Sequence, residues 1–193
     1  MMKTNKTRTL VECALMIAIA TVLSYIPLFQ MPMGGDITLC SMAPLVIASL
    51  RHGVKWGVGT GLVHGFIQMM MGLQNVMYAQ TFLAMAGVVL LDYLLAFAVM
   101  GLACVFAKGF SNRTAGYAAG TAIVGVLRFL CSFVSGILIW GAYAPEDTPV
   151  WIYSLIYNGS YMLPEMIIMT IAVVAVMRIL EKKPSAAGGG ADA

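Results

Sequence analysis

The chain has 193 residues, 61% of them apolar and 10% charged, against about 45–50% and about 25% in soluble domains. Its 11 basic and 8 acidic side chains cannot clothe a globule, which excludes a soluble enzyme, a disordered chain and a disulfide-stapled secreted domain. Long apolar runs, rather than short alternating ones, predict an all-α integral membrane protein and not a β-barrel.

Six spans are predicted in chain order: 9–29, 37–50, 54–71, 82–106, 115–140 and about 156–180, the last beginning nearer Trp151 if its first turns are helical. The first follows Lys3, Lys6 and Arg8, but its apolar stretch is long and it ends without a small-x-small cleavage site, so a retained helix is expected. The second has 14 residues, about 21 Å of helix where about 30 Å of hydrocarbon must be crossed. It is expected to tilt, to thin the bilayer, or to be partly irregular and buried in protein. In the last span Pro164 frees a backbone carbonyl one turn earlier, and a kink is expected there.

Ten of the eleven basic residues fall in four clusters: Lys3, Lys6, Arg8; Arg51, Lys55; Lys108, Arg113; and Arg178, Lys182, Lys183. The connections 30–36, 72–81 and 141–150 carry no Lys or Arg. The two kinds of connection alternate, which predicts six transmembrane helices with both termini in the cytoplasm. Residues 1–183 are expected to form one membrane domain, and the small, Gly-rich stretch 184–193 a disordered tail. Cys13, Cys40, Cys104 and Cys131 include no C-x-x-C pair and are expected as small buried hydrophobes.

The sequence has no P-loop, no zinc-type His/Cys/carboxylate spacing and no selectivity-filter motif. Catalytic residues, metals and cofactors are not expected, and neither is nucleic acid as a partner. Function must then lie between the helices or on their lipid-facing surfaces. Counted inward from the ends of the spans, Asp92 lies ~15 Å deep, Ser132 and His64 ~12 Å, Asn158 ~10 Å and Gln68 ~6 Å, with Arg128 and Glu165 lower at ~18 and ~21 Å. Charges at such depth cost several kcal/mol unless paired or solvated, so they face inward. Ser132, Gly136 and Trp140 share one helix face. The convergence predicts a pocket for a small polar or cationic solute, with Asp92 as its anion and Phe82, Tyr93, Trp140, Tyr153 and Tyr157 as aromatic walls. The alternative is that Asp92 pairs with Arg128 and only joins two helices. His64, on the face of Gly57, Gly61 and Gln68, reads from its surroundings more as a packing residue than as a ligand contact. Glu165 is read as structural or as belonging to the cytoplasmic side. The glycine stripe 57/61/65 and the A-x-x-x-A of Ala14 and Ala18 both permit close helix approach, first of all within the protein, with docking of a partner subunit as the alternative for the first helix.

Four segments carry a family resemblance: GGD at 34–36, SLRHGVKWG at 49–57, LLDYLLAF at 90–97 and TPVWIYSLIYN at 148–158. They resemble the thiamine-specific substrate-binding (S) component of energy-coupling factor transporters, over about residues 9–180. The resemblance implies six helices with cytoplasmic termini in a prokaryotic plasma membrane. It implies thiamine bound from outside, and inward delivery by toppling against a membrane scaffold subunit carrying two ATP-binding subunits. It places ligand contacts at Asp92, Tyr93, Tyr153, Asn158, Trp140, Gly136 and Phe82, and scaffold docking at Ala14 and Ala18. Ser132 stands where some members have His, and Gly35 where some have Trp. His64, at a depth matching Ser132, is expected to supply the imidazole contact from the opposite side. A thiamine pyrimidine precursor as ligand, and a stand-alone secondary transporter, remain the alternative readings.

Overall fold

The computed structural model describes residues 6–31, 35–38, 40–79 and 81–182. Lys3, Gly34, Lys183 and the tail 184–193 lie outside the described residues. Helix α1 runs Lys6–Ser24, strand β1 Pro27–Gln30 and strand β2 Asp36–Thr38. Helices α2 (Ala43–His52), α3 (Val54–Met71) and the short α4 (Leu73–Met77) follow. Then come α5 (Phe82–Ala107), α6 (Arg113–Leu138) and α7 (Val150–Lys182), with a 3₁₀ turn at Trp140–Tyr143 between the last two. Four of these, α1, α5, α6 and α7, are long and apolar enough to cross a membrane.

The first predicted span ends early. Instead of reaching Phe29, α1 stops at Ser24, whose hydroxyl donates to the Thr21 carbonyl at 2.7 Å. Pro27 disfavours helix at the residue before it and cannot supply a helical N–H. Its apolar neighbours go into an antiparallel ribbon instead, with Phe29 opposite Ile37 and Gln30 opposite Asp36. The second span is the irregular case. Its first residues, Ile37 and Thr38, belong to β2, and only Ala43–His52 is helical, with Pro44 in the first turn. Residues Ala43 through Ser49 are all buried, as expected of a helix apolar all round. Leu45, Val46 and Ile47 pack in one cluster with Ala20, Phe97, Met100, Val124 and Val173. Gly53, at φ +86, turns the chain directly into α3.

Helix α5 is not a regular α-helix. It opens on Thr81, whose hydroxyl accepts from Ala84 N–H at 3.1 Å, passes through a π turn at Val89–Leu95 and tightens to 3₁₀ at Val99–Leu102. Non-helical backbone at membrane depth persists where protein satisfies its polar groups. Ser49 of α2 does so here, donating to Gly101 O at 2.6 Å and accepting from Cys104 N at 3.2 Å. The glycine stripe of α3 packs on this segment: a Cβ on Gly65 would sit 2.6 Å from the Tyr93 carbonyl, and one on Gly61 would strike that of Phe97. Helix α7 runs unbroken through Pro164.

Candidate binding site

A cavity of about 440 Å³ opens among the ribbon, the end of α3, α5, α6 and α7, within the usual range for small-molecule sites. Connection residues without basic neighbours, Gln30, Asp36, Gln74 and Tyr143, form part of its lining. Asp36 sits at this edge, and partial burial raises its carboxyl above the usual carboxylate range.

The π turn carries Asp92 and Tyr93 together. Such a turn inserts an extra residue and re-aims the side chains within it, and π turns recur at functional sites. Asp92 Oδ2 accepts from Ser135 Oγ at 2.5 Å and from Trp140 Nε1 at 3.2 Å. Both bonds fall on one oxygen, which orients the carboxylate, and among the described residues Oδ1 takes no hydrogen bond. Tyr93 donates from its hydroxyl to Gly72 O at 3.2 Å, which fixes the ring in the wall.

Helix α7 supplies the facing side. Asn158 Nδ2 donates to Ser154 O at 3.0 Å and Ser154 Oγ at 3.2 Å, while its Oδ1 accepts from Tyr161 O–H at 3.0 Å. Gly136 makes this approach possible: a Cβ there would collide with the Ser154 side chain and lie 3.3 Å from Asn158 Nδ2. Tyr153, Tyr157 and Tyr161 follow one another with ring centroids 5.7 and 6.2 Å apart, and all three line the cavity. Trp140 lies across from them, tilted against Tyr143.

The structure thus brings Asp92, Tyr93, Ser132, Gly136, Trp140, Tyr153 and Asn158 to one cavity. Two expected contacts are not brought there. Phe82 begins α5 and is 87% exposed; the first turn of the helix projects away from its neighbours, and the ring is no part of the lining. His64 is fully buried against a different set of groups. Its Nδ1 lies 3.4 Å from Thr21 Oγ1, its Nε2 3.2 Å from Gln68 Nε2, and its ring meets Phe97 edge-on at 5.1 Å. Thr21 already donates to Ile17 O, so the imidazole donates from Nδ1 and accepts at Nε2: a neutral packing histidine. It is no part of the lining and meets the cavity wall through Gln68 and Phe97.

The alternative pairing of Asp92 with Arg128 is replaced by another. Arg128 Nη1 lies 3.5 Å from Glu165 Oε2, with its guanidinium 5.5 Å from the centre of the Phe97 ring. Glu165, expected to be structural or on the cytoplasmic side, lines the cavity and accepts from Thr38 Oγ1 at 2.7 Å. Ser135, Ser154, Tyr161, Arg128 and Glu165 were not expected as site groups. Their signal is present: Ser154, Asn158, Tyr161 and Glu165 are spaced four, three and four residues apart, a polar stripe on one face of an apolar helix.

A family model described as "Thiamine transporter protein (Thia_YuaJ)" matches residues 10–184. The chain is 37% identical over 175 residues to the thiamine transporter ThiT of Bacillus subtilis (strain 168), covering 85% of this chain and 87% of that one. It is 29% identical over 177 residues to the thiamine transporter ThiT of Lacticaseibacillus paracasei, covering 87% and 85%. A solved structure of ThiT from Listeria monocytogenes is similar over 92% of this chain and 97% of its own, with a TM-score of 0.75 and 25% identity.

Proposed function

The chain belongs to the thiamine transporter protein family and is a multi-pass protein of the cell membrane, and we propose that it is the S component of an energy-coupling factor importer, binding thiamine from outside. The observation that carries the proposal is Asp92, oriented by Ser135 and Trp140 in an aromatic-lined cavity. Thiamine offers a permanent thiazolium charge, a flat aminopyrimidine and a hydroxyethyl arm. A carboxylate with one oxygen already held can take the cation or the amino group with the other. The tyrosines and Trp140 can cover the rings, and a cation over an aromatic face adds roughly 0.5–2 kcal/mol. Asn158 and Ser132 supply few, fixed polar groups, which set orientation.

The basic clusters support six helices with both termini cytoplasmic and the cavity in the outer half of the bundle. The sequence has no nucleotide-binding loop, so the energy comes from partners: a membrane scaffold and two ATP-binding subunits, reached through Ala14 and Ala18, which are exposed on α1. The protein acts as a binder and not as an enzyme.

Titration of the detergent-solubilised protein with thiamine, read by the fluorescence of Trp140, tests the proposal. Saturable quenching at one ligand per chain is expected, and liposomes holding this chain alone should bind without accumulating ligand. Quenching by the pyrimidine precursor but not by thiamine would change the ligand. Uphill uptake without partners would make the protein a secondary transporter.

A further inference from the structure

Three carboxylates, Asp36, Asp92 and Glu165, and one guanidinium, Arg128, line the cavity among the described residues. A cationic ligand needs an anion that is not already neutralised, and Arg128 is a competitor built into the same wall. On α6, Arg128 precedes Ser135 by seven residues, two turns along one helix face, and Ser135 holds Asp92 at 2.5 Å. The guanidinium nevertheless faces Glu165, at 3.5 Å.

Glu165 is positioned for this task. Its side chain is 4% exposed. Oε1 is tied to Thr38 of β2 at 2.7 Å, which leaves Oε2 facing Arg128. Glu165 Oε2 and Arg128 Nε are buried without hydrogen-bond partners, so charge rather than directed bonding holds the pair. Charge attraction of this kind is long-ranged and strong where water is scarce, and it weakly dictates geometry. If Glu165 lost its charge, Asp36 and Asp92 would be the carboxylates left in the wall, and Asp92 is the one bonded to the helix that carries Arg128.

We propose that Glu165 is a positioning residue that sets the pocket's preference for cations: it holds Arg128 on its own side of the cavity and so keeps Asp92 free for the ligand's charge. The inference rests on the thiamine-binding reading above and deepens it.

The test compares thiamine with deazathiamine, its uncharged isostere in which carbon replaces the quaternary nitrogen, on wild type and three variants. Glu165→Gln keeps an oxygen for Thr38 and removes the charge. It should weaken thiamine about tenfold and deazathiamine less than about threefold, and adding Arg128→Met should recover most of the loss, as coupled sites do. Arg128→Met alone should tighten thiamine by about twofold or more and leave deazathiamine behind, since a like charge has left a cation site. That arm decides the matter if Glu165→Gln does not fold. Equal weakening of both ligands by Glu165→Gln, a loss of thiamine affinity under about threefold, failure of the double variant to recover, or weaker thiamine binding by Arg128→Met overturns the inference. Failure of the wild type to bind thiamine overturns the functional reading itself, which is a different result.

Discussion

Helices α1 and α7 are both long and apolar enough to cross a membrane, yet only α7 buries a stripe of polar side chains. On α7, Ser154, Asn158, Tyr161 and Glu165 are buried, each held by a hydrogen bond to a neighbouring group. On α1, Leu10, Val11, Leu15, Ile19 and Val22 are 48–62% exposed, and only Thr9, Cys13 and Ala20 are buried. One helix turns polar groups inward, where each needs a partner because no water or lipid can satisfy it. The other turns a smooth apolar face outward, where small residues admit a second helix. On the proposed function, recognition of the solute and association with the scaffold fall on separate surfaces, and substitutions on one should not disturb the other.

The largest effect should come from the docking face. Ala14→Trp or Ala18→Trp should reduce cellular uptake to background and abolish co-purification with the scaffold, while ligand affinity in detergent stays that of the wild type. An indole on this face blocks close helix approach, and neither alanine lies near the cavity. Normal uptake by both variants would move docking elsewhere and dissolve the contrast.

On the inward face, Asp92→Asn should weaken thiamine at least about tenfold, or ~1.4 kcal/mol. The amide keeps an oxygen for Ser135 and Trp140 but no charge for the ligand. A folded variant with unchanged affinity would reduce Asp92 to a helix-packing group. A smaller loss, about fivefold or ~1 kcal/mol, is expected from Gly136→Ala. The added methyl pushes Ser154 and Asn158 away without touching any charge, so thiamine and its uncharged isostere should suffer alike, unlike the selective loss expected of Asp92→Asn.

The same two regions show what the sequence made legible. Long apolar runs carried the helical membrane fold, because they are set by composition over many residues. Where one residue redirects the backbone, the reading failed. Pro27 ends α1 in an apolar stretch that otherwise continues to Phe29, so hydropathy alone cannot see the ribbon. The π turn at Val89–Leu95 has no side-chain signature, since leucine and valine serve α and π geometry equally. Depth counting found Asp92, Ser132 and Asn158, but depth is blind to azimuth. It gives Glu165 a structural or cytoplasmic-side role, although its place in the stripe with Ser154, Asn158 and Tyr161 puts it on the cavity side.

Azimuth also governs the smallest expected effects, at Phe82 and His64. Phe82 was expected at the ligand because an aromatic near the start of its helix is a natural wall, yet it is 87% exposed and its neighbour Leu83 is 82% exposed. Phe82→Ala should leave both thiamine affinity and thermal stability unchanged. His64→Ala should also leave affinity within about twofold, ~0.4 kcal/mol, because the ring lies outside the lining, behind Gln68 and Phe97. Stability separates the two. Removing the imidazole takes a partner from Gln68 and opens a void against Phe97, which costs about 1–3 kcal/mol and should lower the melting temperature of the detergent-solubilised protein. If instead His64→Ala lost affinity at unchanged stability, and Ser132→His restored it, the imidazole would reach the ligand after all. The inward-facing set would then extend from α5, α6 and α7 to α3.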